Sequence, residues 1–131
     1  MIEPRGIRNN NPGNIRLGTS SWVGMSDNQL DKDFVVFSEA KYGIRALARI
    51  LMHYSSEGIH TVRGIINRWA PSSENNTDAY IKTVCDWLHC NADEPIFVSV
   101  VMPNLIAAII HHENGEQPYT VAEIEEAIHL A

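Results

Sequence analysis

Basic residues are scarce in this chain: 10 Lys and Arg stand against 16 Asp and Glu, for a net charge of -6. Phosphate recognition relies on clustered cations, so a nucleic-acid partner is not expected. The early group Arg5, Arg8 and Arg16 is too short and too asparagine-rich a stretch to reverse that. Long apolar runs are missing as well. No segment approaches the ~20 residues that a membrane-spanning helix needs, and Met1, Ile2, Glu3, Pro4 and Arg5 lack the basic-then-apolar pattern of a secretory signal. The protein is therefore expected to be made in the cytoplasm and to have no membrane partner. Cysteine is limited to Cys85 and Cys90. On one helix, five steps of ~1.5 Å would separate them beyond the ~7 Å reach of a disulfide, which leaves them as reduced packing residues. His89 beside Cys90 does not complete a metal-ligand set. With no repeat, low-complexity tract or linker, residues 1–131 read as one domain, and 44% hydrophobic with 20% charged residues is the balance of an ordinary globule.

What the chain does have is turn chemistry first and helical periodicity afterwards. Residues 9–14, Asn-Asn-Asn-Pro-Gly-Asn, form a dense turn signal, with Pro12 suited to the second turn position and Gly13 to the third. Extended segments are expected at residues 14–17 and 33–37, joined by a loop through Trp22 and Gly24, which together predict a small β-hairpin region. From Tyr42 the spacing of Ile44, Leu47, Ala48, Leu51 and Met52 predicts one buried helical stripe, closed by Gly58. A shorter helix carries Val62, Ile65, Ile66 and Trp69 and ends before Pro71. A third starts near Asn76 and buries Tyr80, Ile81, Val84 and Leu88. Pro95 and Pro103 bracket an apolar stretch, residues 96–102, whose state the pattern leaves open. A final helix opens at Thr120 with Glu123 at capping-box spacing. The fold class is mainly α, within α+β: at least five helices around a small hairpin.

The densest apolar pattern is residues 105–110, which run through His111 and His112 into Glu113, Asn114 and Gly115. A helix apolar on every side belongs inside a core, and Gly115 is where it should stop. Glu113 is thereby placed at the exit of a buried helix. Partial withdrawal from water favours the protonated form of a carboxyl group, the state needed to protonate a leaving-group oxygen, so Glu113 is the candidate general acid. The bland alternative is a solvated glutamate at a helix end. His111 and His112 point about 100° apart on a helix and cannot share a ligand face with Glu113, so neither a metal nor a cofactor is expected. Asp27, Asp31 and Asp33, clustered in the presumed hairpin, are the nearest source of a second carboxylate, and a solvated loop is their default reading. Trp22 and Trp69 could line a sugar groove or simply fill the core. Tyr80 needs a partner for its hydroxyl if it is buried.

These segments carry a resemblance. Residues 105–119, LIAAIIHHENGEQPY, look like the helix that delivers the catalytic glutamate in lytic transglycosylases and related muramidases, with Asn114 where those enzymes usually have serine. NNNPGNIR at 9–16, Trp22 with Gly24, and FVVFSEAKYGIRAL at 34–47 resemble the hairpin section of flagellar and autolysin-type glucosaminidases. Thr77-Asp78-Ala79-Tyr80 is similar to a stretch those enzymes place on a later helix. In those families the glutamate helix precedes the hairpin, whereas here it comes last. The resemblance therefore implies a circularly permuted lysozyme-like domain, and permutation is tolerated where termini lie close together at a surface. The opening RGIRNNNPGNIR also resembles a family of small phage and prophage proteins, some structural and some lytic.

The resemblance implies a peptidoglycan-degrading glycosidase, a muramidase or a lytic transglycosylase, that cleaves between N-acetylmuramic acid and N-acetylglucosamine. Glu113 would be the general acid, Asp27, Asp31 or Asp33 any second carboxylate, and Tyr80, Thr77, Trp22 and Asn14 the substrate-positioning residues. The implied partner is a peptidoglycan glycan strand, reached in the periplasm or on the cell wall by way of a holin, a virion or a secretion machine, with phage or secretion components as further partners. The rival expectation is a non-catalytic phage structural or wall-binding protein that keeps the fold. Carboxylate spacing separates the chemistries: roughly 6.5–9.5 Å for inversion and about 5 Å for retention, with no second carboxylate needed when a substrate hydroxyl attacks.

Overall fold

A helix that is apolar all round has no stable place except among other elements, and the structure, a computed structural model describing residues 3–73 and 75–131, is arranged around one. Its helices are α1 (Arg5–Arg8), α2 (Ala40–Ser56), α3 (Val62–Trp69), α4 (Thr77–Leu88), α5 (Val98–Asn114) and α6 (Val121–Leu130). Each residue from 105 to 110 in α5 is at most 6% exposed. Helices α1, α2, α4 and α6 pack against α5, and α3 joins through α4. No helix among the described residues is long and apolar enough to cross a membrane.

The ends of these helices follow the local chemistry. Gly115 caps α5 with a left-handed φ of 75°, and its N–H donates to the His111 carbonyl at 2.8 Å, a backbone state that any side chain would strain. The side chains of Thr61, Asn76 and Thr120 cap α3, α4 and α6, and Thr120 and Glu123 form a reciprocal capping box. The stretch left open around residues 96–102 resolves into the start of α5, which begins at Val98 and takes Pro103 into its second turn. Proline deprives the carbonyl four residues earlier of its donor. Here that residue is the exposed Ser99, where water can serve.

Two expectations are corrected. Cys85 and Cys90 do not share a helix: α4 ends at Leu88, left-handed His89 turns the chain, and the Cys90 N–H returns to the Cys85 carbonyl at 3.2 Å. Both thiols are free, and burial is the first cause that pushes Cys90 up to about 11. The second correction concerns the hairpin. Among the described residues no strand forms between 14 and 37, only two isolated antiparallel bridges, Arg16 with Phe34 and Met25 with Phe37.

The reason lies in the amides. Buried backbone polar groups must find partners, and here side chains supply many of them. Asn11, fully buried, donates to the carbonyls of Ile15 and Val35 at 3.0 and 2.9 Å and accepts from the Ile15 N–H at 3.0 Å. Gln29 takes both the N–H and the carbonyl of Val36 at 2.9 and 2.8 Å. Asn10, at φ 54°, donates to the Phe37 carbonyl at 3.1 Å. Side-chain amides thus stand where a ladder would. The loop still has an apolar underside, in which Ile15, Val35 and Phe37 pack with Ala46 of α2.

Candidate active site

Glu113 lies in the last turn of α5, three residues beyond the end of the buried run at Ile110, and it is half-buried. Its two oxygens are held from two directions. Oε1 accepts from Asn14 Nδ2 at 3.1 Å, and Oε2 accepts from the Tyr80 hydroxyl at 2.8 Å. The Tyr80 oxygen in turn accepts from Trp69 Nε1 at 3.0 Å. Tyr80 is only 1% exposed, so its hydroxyl needed internal partners, and the indole and the carboxylate supply them. Burial first, and then the neighbouring Glu113 carboxylate, push the Tyr80 phenol far above its ordinary range. Tyr80 therefore acts as a fixed hydrogen-bond donor rather than a base.

The Asn14 contact depends on the turn before it. Asn14 itself adopts φ 51°, a conformation asparagine tolerates better than most residues. The Asn114 amide donates to the Pro12 carbonyl at 2.8 Å and to the Ile110 carbonyl at 2.9 Å, which pins the turn to the tip of α5. Asparagine at position 114 thus has a local task. Gly6 of α1 closes the arrangement. A β-carbon there would meet Asn114 Oδ1 at 2.6 Å, Asn14 Oδ1 at 2.8 Å and the Asn11 carbonyl at 2.9 Å.

Beside Glu113 opens a cleft of about 400 Å³, lined also by Asn14, Arg16, Phe34, Tyr54, Trp69 and Asn75. Glu113 is the one carboxylate among the described residues lining it. Asp27, Asp31 and Asp33 do not line it. Asp27 is exposed. Asp31 is gripped by Arg5 through two contacts of 2.6 Å and accepts from Asn9 at 2.9 Å. The Arg5 guanidinium holds the Asp31 carboxyl well below the usual carboxylate range. Asp33 shares the same arginine at 3.1 Å.

Of the proposed positioning residues, Asn14 and Tyr80 touch Glu113, and the other two face elsewhere. Thr77, buried, donates to the Ala70 carbonyl at 2.7 Å and so ties α4 to the end of α3. Trp22 packs on the underside of the loop. The two histidines diverge as helical spacing requires: His111 tilts against Trp87, and His112 stacks on Tyr80 with ring centroids 3.8 Å apart. Burial lowers the His112 pKa, which keeps that ring neutral at neutral pH. No three His, Cys, Asp or Glu side chains among the described residues gather as a metal site. Trp69 is expected from the sequence only as a groove or core residue, and nothing in the sequence pattern singles out Arg16, Phe34, Tyr54 or Asn75 as lining the cleft. Trp69 and Tyr80 both carry polar atoms that need partners when buried, which was a usable signal. The Arg16 and Phe34 pairing depends on a bridge register that no periodicity announces.

A half-buried carboxylate lining an open cleft is thus fixed by an amide and a phenol. No family model matches the chain. Kinship comes instead from a phage protein that aligns with nearly all of it. Protein P5 of Pseudoalteromonas phage PM2 is 40% identical over 126 residues, which cover 93% of this chain and 78% of that protein. The chain belongs to the family of that phage protein.

Proposed function

We propose that this protein is a peptidoglycan-cleaving glycosidase of circularly permuted lysozyme-like architecture, and that it acts as a lytic transglycosylase. The reading rests on one observation: Glu113 stands at the cleft, oriented through both oxygens by Asn14 and Tyr80, with no other carboxylate among the described lining residues. A single carboxylate can serve as acid and then as base. Protonated Glu113 gives its proton to the glycosidic oxygen as the bond from the muramoyl C1 to that oxygen breaks. The C6 hydroxyl of the same muramoyl ring then bonds to C1 and returns its proton to Glu113. The products are a free N-acetylglucosamine 4-hydroxyl and a 1,6-anhydromuramoyl end, and no water is consumed. Asn14 and Tyr80 keep the carboxyl from rotating between the two steps, as a positioned catalytic group requires.

Glu113→Gln fills the same space but cannot donate the proton, so it is expected to keep the fold and to lose wall lysis by at least about a hundredfold. Mass spectrometry of wild-type digests should show anhydromuramoyl ends. Lysis by Glu113→Gln at the wild-type rate would overturn the assignment of Glu113, and absence of lysis by the wild-type protein would leave the phage structural or wall-binding reading. Reducing ends made by water would instead identify a hydrolase.

A further inference from the structure

We infer that Arg16 is the residue of this cleft that recognises an anionic group on the ligand, and that the group is a carboxylate carried by the muramoyl sugar of the glycan strand. The inference rests on the glycosidase reading above and deepens it by naming the part of the substrate that is read. Arg16 is the one cation among the described residues lining the cleft that holds Glu113.

Its position is built by backbone geometry rather than by a loop excursion. Arg16 and Phe34 face each other across an antiparallel bridge. The flanking bonds, Leu17 N–H to the Asp33 carbonyl at 2.9 Å and Val35 N–H to the Ile15 carbonyl at 3.0 Å, make it a non-hydrogen-bonded pair. Opposed side chains in such a pair share one face and approach closely. The Arg16 guanidinium accordingly lies 5.3 Å from the centre of the Phe34 ring, and both residues line the cleft.

Ion pairing around it is already taken. Arg5 also approaches the Phe34 ring, at 4.6 Å, and it occupies both Asp31 and Asp33. Arg63 is matched by Asp93 and Arg68 by Glu57. Arg16 has no acidic partner among the described residues, in a chain whose net charge is -6. An aromatic ring beneath a guanidinium holds its plane without consuming its N–H donors, which leaves a planar fork available to whatever fills the cleft that Arg16 lines. Planar forks match carboxylates bidentately. A glycan of alternating sugars offers that group on the lactyl ether of every muramoyl residue, or on the stem peptide when the lactyl carboxyl is amidated.

The test is calorimetric binding in the Glu113→Gln background, which holds the ligand without cleaving it. Arg16→Gln and Arg16→Lys are compared on three ligands: peptide-free glycan strands, strands bearing stem peptides, and chitin oligosaccharides of equal length, which have no carboxylate. Arg16→Gln should weaken binding of carboxylate-bearing strands about tenfold, with Arg16→Lys falling between, and should leave chitin oligosaccharides unchanged. A loss confined to peptide-free strands assigns the lactyl carboxylate, and a loss confined to peptide-bearing strands assigns the peptide carboxylate. Equal loss on chitin oligosaccharides, or no loss on any ligand, overturns the role of Arg16 while leaving the glycosidase reading intact. Failure of the Glu113→Gln protein to bind any of the three glycans overturns both.

Discussion

The helical body and residues 3–39 are held together by different physics. In the body, burial of Ile, Leu, Val and Ala side chains dominates, a non-directional force roughly proportional to area. In the N-terminal segment, amide side chains grip named backbone atoms at about 3 Å, over an apolar patch of only a few residues. A region of the first kind tolerates changes of side-chain shape. A region of the second kind depends on individual atoms. Glu113 comes from the first and its Asn14 partner from the second, so the candidate site lies on the seam.

Asn11→Leu should break the contrast most sharply, because similar bulk remains but the Ile15 N–H and the Val35 carbonyl lose their partners, while the Ile15 carbonyl keeps only the Val35 N–H. At about 1–3 kcal/mol for each of these two buried unsatisfied groups, the expected loss is about 2–6 kcal/mol. Leu105→Met, at an equally buried site in α5, should cost less than about 1.5 kcal/mol. Urea unfolding measures both. Equal costs would mean that the two regions are not held differently after all.

This difference also explains what could be read in advance. Apolar spacing at 3.6 residues reports burial directly, so α2, α3, α4 and the core of α5 were legible, with the ends at Asn76 and Gly115, and capping-box spacing at Thr120 announced α6. Phe34-Val35-Val36-Phe37 has the composition of a strand, but composition does not say whether another strand or an amide will satisfy its backbone. Gln29 and Asn11 decided that. The four-residue α1 carries too little pattern to be seen. Within the candidate site, Glu113, Asn14 and Tyr80 were legible because each belongs to a recognisable local signal. The capture of Asp31 by Arg5 was not, since it spans 26 residues of sequence between two irregular segments.

A smaller effect is expected from acid. The Arg5 contact keeps the folded Asp31 carboxyl well below its ordinary value, so its contribution is fully present above about pH 4, where the unfolded group ionises. It is lost as pH falls below that toward the folded value. The melting temperature should decline on acidification below about pH 4, and Asp31→Asn should flatten that decline while lowering stability at neutral pH. The same slope in both proteins would show that the N-terminal segment does not depend on this pair.

Smallest is Thr120→Ala, which removes one directional bond from the helical body, where an exposed cap can be replaced by water. About 1 kcal/mol should be lost, with faster amide exchange confined to the first turn of α6 and none in residues 9–16. Exchange spreading into that turn would mean that the two regions share more than a seam.

The bonds from Asn14 to Glu113 and from Asn114 to Pro12 span 99 and 102 residues of sequence. A ribosome makes the asparagine turn well before the tip of α5. Until α5 is made the asparagine turn has no tip to dock on, and contacts of such high sequence separation form late because the intervening chain must be ordered first. Glu113 and the groups that orient it therefore meet only once α5 has been made, so a chain that stops short of α5 carries part of the candidate site without its geometry.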